Sequence, residues 1–318
     1  MFGNKFDVNG KLVVVAGGSR GLGKAIALEL ASKGANLLIL ARTESTLQAA
    51  QHDIEAACIS SKQIIDTRSV DLTKPDEITK ALRHYHPPDI LVCAAGSTPS
   101  QVGFLVDIPP EALTSCMESN YYTTIFAVQC CLRLWLVAPQ TPSPRHIILT
   151  SSTAAFLGLP GYVAYTATRV AIRALADTLR QELLLYGEDA FKVHCCFPGT
   201  FLSESFFQEQ EHKPGLTKVI EGTSMSQEKL EHKIPGAREV ARKIVRSLEK
   251  GKTYIPVDFQ TELLLNNMRG PSPRFWTVCD FLLGLLASLV WWAFRVDFDR
   301  KTRRYGATRN GRDTSSRV

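Results

Sequence analysis

An apolar run, Leu12–Ala16, gives way to Gly17-Gly18-Ser19-Arg20-Gly21-Leu22-Gly23 and then to a helical pattern over 24–33. Glycine lets the backbone turn sharply and brings bare peptide groups close to whatever binds there. A helix starting at once offers unpaired N–H groups and the positive end of its dipole to an anion. Strand, glycine-rich turn and helix, in that order near the start of a chain, are the pyrophosphate cradle of a dinucleotide-binding unit. Gly17, Ser19, Arg20, Gly21, Leu22 and Gly23 are therefore the first candidate cofactor contacts.

The rest of the first two hundred residues keeps the same rhythm. Short apolar runs at Asn36–Ala41, 64–70, 89–94, Arg145–Thr150 and 192–197 alternate with helical patterns at 44–57, 75–84, 110–136 and 165–186. Such alternation predicts parallel strands with helical crossovers, an α/β doubly wound parallel sheet of Rossmann type. The strands are continuously apolar because helices cover both faces. Beyond Gly199 the pattern loosens: 202–235 reads as a polar, mobile loop with short helices, 238–248 as a helix and 252–257 as a final strand.

Charge and cysteine usage narrow the class. The net charge is +6, and from Arg295 onward eight Lys/Arg face three Asp, so the tail carries most of it. A nearly neutral body argues against nucleic acid as a partner. The eight cysteines and seven histidines are scattered without metal-ligand spacing. No metal is expected, and the thiols read as small buried hydrophobes in a reducing compartment. Residues 1–11 are short and polar, which predicts no secretory leader.

The end of the second apolar run decides which dinucleotide. NAD-type sites place a carboxylate there for the ribose hydroxyls; this chain has Leu40-Ala41-Arg42. Arg42 with Arg20 could clamp a 2′-phosphate through charge-assisted hydrogen bonds, so NADPH is the expected cofactor.

These residues, from about Gly10 to Val257, resemble the short-chain dehydrogenase/reductase superfamily. Asp71-Leu72 matches the family's adenine contact, and Cys93-Ala94-Ala95-Gly96 stands where Asn-Ala-Ala-Gly is usual. Asn120, Ser152 and Tyr165 fall at the family's catalytic positions, with Tyr165 thirteen positions after Ser152. Pro198-Gly199 matches the turn beside the nicotinamide; Phe201 and Ser203, in the same run, are taken as further cofactor contacts. The resemblance implies that Tyr165 donates the proton, Ser152 orients the carbonyl and Asn120 orders a water in the relay. Two positions depart from the pattern. Arg169 stands for the signature lysine four residues after Tyr165, and Ala16 replaces a common threonine. Arginine keeps the charge but cannot readily release a proton, so cofactor binding is expected to survive and turnover to fall.

Within the superfamily the chain is most similar to fungal 3-ketodihydrosphingosine reductases, through 197–206, 179–183 and the apolar C-terminal segment with its basic tail. That resemblance implies NADPH-dependent reduction of a long-chain lipid ketone at the cytosolic face of the endoplasmic reticulum, with 202–235 as substrate lid and a homo-oligomer built on the helices of Asn120 and Tyr165. The alternatives are a reductase of another lipid or secondary-metabolite ketone, or a catalytically weakened NADPH-binding membrane scaffold. The expected organisation is a reductase domain over 1–260 followed by an apolar segment and basic tail over 261–318. Within the latter, 281–294 carries no charge and ends near Trp291 and Trp292. A span needs roughly 20 apolar residues, so an interfacial or re-entrant anchor on the membrane surface is expected.

Overall fold

The computed structural model describes residues 4–98, 100–139, 141–187 and 189–315. Residues 1–3 at the head of the expected reductase domain and 316–318 at the end of the basic tail lie outside the described residues. Seven parallel strands form one sheet, β1 (Leu12–Ala16), β2 (Asn36–Ala41), β3 (Ile65–Ser69), β4 (Ile90–Cys93), β5 (Arg145–Thr150), β6 (Phe191–Phe197) and β7 (Tyr254–Pro256). Their order is β3-β2-β1-β4-β5-β6-β7. The order reverses between β1 and β4, and ligands of open α/β sheets bind at that switch point, beyond the carboxyl ends of the strands. All five residues of β1 are buried. It pairs with β2 through Leu12↔Asn36 and with β4 through Val13↔Ile90.

Helices cover both faces. On one side lie α1 (Gly21–Ala31), α2 (Glu44–Glu55) and, from later in the chain, Ala237–Glu249. The apolar side chains of these helices meet Val13, Val15, Leu37 and Ile39 of the sheet. On the other lie α3 (Pro75–Leu82), α4 (Pro110–Met117), α5 (Thr123–Val137) and α6 (Val163–Glu182). They close over Val14, Leu38, Leu91 and Ile147. The helical pattern over 110–136 is interrupted at Glu118–Tyr122 by a wider π turn. The hydroxyls of Ser119, Thr123 and Thr124 each donate to the carbonyl four residues earlier, at 2.8, 3.0 and 3.1 Å. Such back-bonding competes with the regular ladder, and the extra residue turns Asn120 inward.

The stretch 202–235 is more regular than its polarity suggests, forming α7 (Glu204–His212), α8 (Gly215–Glu221) and α9 (Gln227–Lys233). After α10 (Ala237–Glu249) and β7 come α11 (Phe259–Met268) and a single long helix, α12 (Thr277–Ser315). The uncharged segment 281–294 lies in the first half of α12, whose Thr277–Gly306 portion is long and apolar enough to cross a membrane, although only 11% of its most apolar stretch is buried. Six cysteines are buried, while Cys58 is half-buried and Cys279 exposed. Burial pushes the Cys93 thiol up to about 12 and Cys116 to about 11, so neither is a ready nucleophile.

Candidate active site

A cleft of about 1170 Å³ opens over the carboxyl ends of the strands. Eighteen of the twenty candidate site residues line it: Gly17, Ser19, Arg20, Gly21, Leu22, Arg42, Asp71, Leu72, Ala94, Ala95, Gly96, Ser152, Tyr165, Arg169, Pro198, Gly199, Phe201 and Ser203. Gly23 and Asn120 support it from beneath. Gly17 lies at φ +90°, and a Cβ there would come within 2.4 Å of the Ala95 backbone nitrogen. A Cβ on Gly23 would sit 2.1 Å from the Gly17 carbonyl, so the loop closes on α1 only as glycine. Arg20 is the N-cap of α1 and no side chain caps it. The first N–H groups of the helix thus face the cleft, ready for an anion. Bare backbone and an uncapped helix end together fit the pyrophosphate of a nicotinamide dinucleotide.

Three candidate cofactor residues lie together at one end of the cleft. Arg20 and Arg42 are both exposed at the rim. Asp71 accepts from the Thr73 backbone N–H at 3.0 Å and from its hydroxyl at 2.7 Å. The backbone bond leads in holding the Asp71 carboxyl below the usual range, against the opposing effect of burial. It therefore stays ionised and able to accept from an amine.

The opposite end gathers the candidate catalytic groups. Tyr165 and Arg169 lie one turn apart on α6. The Ser151 hydroxyl donates to the Arg169 carbonyl at 2.8 Å, tying the end of β5 to that helix. Ser152 is extended; its hydroxyl accepts from Ala154 N at 3.2 Å and donates to the Pro198 carbonyl at 3.3 Å. Arg169 is 4% exposed. Its Nη1 donates to the Thr150 carbonyl at 2.9 Å, its Nη2 to Asn120 Oδ1, and its guanidinium lies 4.6 Å from the centroid of the Tyr165 ring. Asn120 is fully buried and its amide donates to the carbonyls of Ser97 and Cys116 at 3.1 and 3.0 Å. Arginine thus reaches the asparagine side chain directly, a contact that the expected water relay did not include. Gly96, at φ +130°, passes so near that a Cβ would fall 2.4 Å from Asn120 Oδ1. Arg169 Nε, Thr150 Oγ1 and Thr98 Oγ1 are buried at the cleft without a partner. Unpaired buried polar atoms are costly, and a polar ligand in the cleft would offer these partners.

The short helices contribute groups that sequence reasoning missed. Lys213, 4% exposed, pairs with Glu209 at 2.8 Å and with Glu221 at 2.5 Å. The Tyr162 hydroxyl donates to Glu209, and Thr200 donates to Glu221 at 2.8 Å. Burial, then the two carboxylates, push the Tyr162 hydroxyl far up, which keeps it protonated. In the sequence these residues look like ordinary mixed surface charge; only the tertiary fold brings them together. Phe294 and Phe298 of α12 line the same cleft, and nothing in an apolar segment's composition points there.

The family model for short chain dehydrogenases matches residues 11–214. A 3-ketodihydrosphingosine reductase of Aspergillus fumigatus is 36% identical, aligned over 96% of this chain and 88% of that protein. One of Yarrowia lipolytica is 33% identical over 94% of this chain and 78% of that protein. Among solved structures, 3-oxoacyl-[acyl-carrier protein] reductase from Brucella melitensis in complex with NAD superposes with a TM-score of 0.64 at 23% identity, covering 79% of this chain and 96% of that one. The chain belongs to the short-chain dehydrogenase/reductase family, oxidoreductases that work with a nicotinamide dinucleotide.

Proposed function

We propose that this protein reduces the ketone of 3-ketodihydrosphingosine, a long-chain lipid, to dihydrosphingosine with NADPH. What carries the reading is the 36% identity to a reductase of that name over 96% of the chain. The likeness extends well past residue 214, where the family model ends, and takes in the short helices and much of the C-terminal region.

The site supports the chemistry residue by residue. When bound, reduced nicotinamide supplies the hydride. Gly17, Ser19, Gly21, Leu22 and Gly23 would hold the pyrophosphate, Asp71 and Leu72 the adenine, and Ala94, Ala95, Gly96, Pro198, Gly199, Phe201 and Ser203 the nicotinamide half. Arg42, assisted by Arg20, stands where a carboxylate would select NAD, which favours a 2′-phosphate. Tyr165 gives its hydroxyl proton to the substrate oxygen as hydride arrives, and Ser152 turns its hydroxyl from the Pro198 carbonyl to fix that oxygen. Arg169 stabilises the charge left on Tyr165, held in place by Asn120 and the Thr150 carbonyl. The helices over 202–235 serve as the lid, excluding water while the chemistry proceeds.

The apolar α12 and its basic end fit a membrane-associated enzyme working on the cytosolic face of the endoplasmic reticulum. The exposed Leu113, Tyr122, Val163 and Val170, on α4, the π turn and α6, are the surface through which two copies would pair. A Tyr165→Phe variant tests the catalytic assignment: it should bind NADPH with unchanged affinity and form less than about a hundredth of the product, the usual scale for loss of a general acid. Near-normal product formation would remove Tyr165 from the role.

A further inference from the structure

α12 is long and apolar enough to cross a membrane, yet one of its faces is bound to the catalytic body along most of its length. At its start Asp280 forms a buried ion pair with Arg269, the residue that follows α11, and takes backbone N–H groups of Phe275 and Trp276. One turn on, a Cβ on Gly284 would fall 2.9 Å from the Asn266 carbonyl, so the two helix backbones are in close contact. Ala287 is fully buried, Ser288 accepts from Asn267 at 2.8 Å, and Trp291 packs on the core. Further on, Phe298 and Lys301 line the cleft and Tyr305 meets Phe104 edge to face at 6.1 Å. From 280 to 305 a helix rises about 38 Å, more than the roughly 30 Å of a bilayer's hydrocarbon core. A span through these residues would have to strip most of those contacts.

The outer face has a different composition. Val278, Phe281, Leu282, Leu285, Leu289, Trp292 and Val296 are each between 41% and 73% exposed. By helical spacing the same face continues through Arg300, Arg303 and Arg304, all exposed. Several turns of apolar side chains followed by arginines match an acyl boundary and anionic headgroups met side-on. Trp292, 73% exposed near the junction, suits the interface.

We propose that α12 lies flat on a bilayer as a one-sided anchor, and that its inner face walls the substrate cleft. The alkyl chain of the ketone then passes from the leaflet into the cleft along Phe294 and Phe298. Asp297 and Lys301 also line the cleft, but they pair with each other at 2.7 Å, so the wall carries no net charge. The substrate half of this inference rests on the lipid-ketone reading above; the seating of the helix does not.

Depth measurement tests the seating. In a Cys58→Ser/Cys279→Ser background, Leu282→Cys, Leu289→Cys and Val296→Cys variants of the full chain carry a fluorophore on phosphatidylcholine/phosphatidylserine vesicles with quenchers at graded depths. A flat helix puts all three at one shallow depth. A Leu289 probe about 10 Å deeper than its neighbours, the rise of seven residues, overturns the seating whatever the substrate. A second arm tests the wall with Phe294→Ser/Phe298→Ser. Its KM for the long-chain ketone should rise about tenfold, since apolar contact with the chain is lost. Its KM for a short, water-soluble β-keto analogue and its NADPH affinity should not move. Equal effects on both ketones, or on neither, overturn the wall. A parent protein that binds NADPH but turns over neither ketone sinks the lipid-ketone reading and with it the wall, and leaves the depth result standing.

Discussion

Replacing Arg169 with methionine removes the cation while keeping much of the side chain's length and apolar bulk. The guanidinium lies 4.6 Å from the Tyr165 ring centroid. At an effective dielectric of about 20, a unit charge that close to a developing phenolate is worth about 3–4 kcal/mol. Spreading the negative charge over the ring lowers that to about 2–3 kcal/mol, so kcat should fall by about 10²-fold. The Thr150 carbonyl and Asn120 Oδ1 also lose their donor, and buried acceptors left unpaired cost about 1–3 kcal/mol each. Stability therefore drops as well, and the kinetics must be measured where circular dichroism shows a folded protein. Arg169→Lys is the companion. It keeps the charge but cannot fork to Thr150 and Asn120 together, so its kcat should stay within about tenfold of the parent by the same electrostatic argument. The assay is steady-state reduction at saturating NADPH, with NADPH affinity measured separately by fluorescence. If folded Arg169→Met keeps kcat within about threefold, a shift below 1 kcal/mol, the cation has no part in proton transfer.

Arg42→Asp should lower the NADPH-to-NADH ratio of kcat/KM by about 10²-fold, the loss of one or two charge-assisted bonds at about 1.5–3 kcal/mol each; an unchanged ratio would place the 2′-phosphate elsewhere. Asp280→Ala leaves the buried Arg269 charge uncompensated and should cost about 3–5 kcal/mol in urea unfolding, whereas the double Arg269→Leu/Asp280→Leu variant should recover most of it. Equal destabilisation by both would mean that the ion pair is not what fixes α12. The buried pair His146 and His194, ring nitrogens 3.0 Å apart, titrate low because burial disfavours their charged forms, at about 3 and about 4. The unfolded chain takes up those protons near 6.5, so this stability is complete above that pH. It falls as pH drops toward 4, by up to about 2.7 kcal/mol per pH unit for two groups. Urea midpoints that do not move between pH 7 and 4.5 would contradict this; His146→Leu should shallow the slope.

Much of this was legible in the chain. β1, β2 and β5 have the boundaries that their sequence runs predict, because strands covered on both faces carry a continuous apolar centre, 37–41 in β2 and 147–149 in β5. The glycine-rich loop was readable for a related reason: Gly17 and Gly23 sit where a Cβ would strike backbone, so the sequence has no other choice there. Three features were not readable. The π turn at Glu118–Tyr122 hides inside an unbroken helical pattern, since it arises from hydroxyl-to-carbonyl bonds and not from periodicity. The Lys213, Glu209 and Glu221 cluster is spread over residues whose charges read as solvated until α7 and α8 fold together. The two faces of α12 could not be told apart in the sequence, because Ala287 and Trp291 inside are as apolar as Leu289 and Trp292 outside.

The central claim is a reaction, and its most direct test is product formation. Purified protein in detergent or on vesicles is given NADPH and 3-ketodihydrosphingosine, and dihydrosphingosine is followed by mass spectrometry alongside cofactor oxidation. The account predicts product in step with NADPH consumed, much slower turnover with NADH, and loss of product in Tyr165→Phe. Tight NADPH binding with no dihydrosphingosine formed would contradict it.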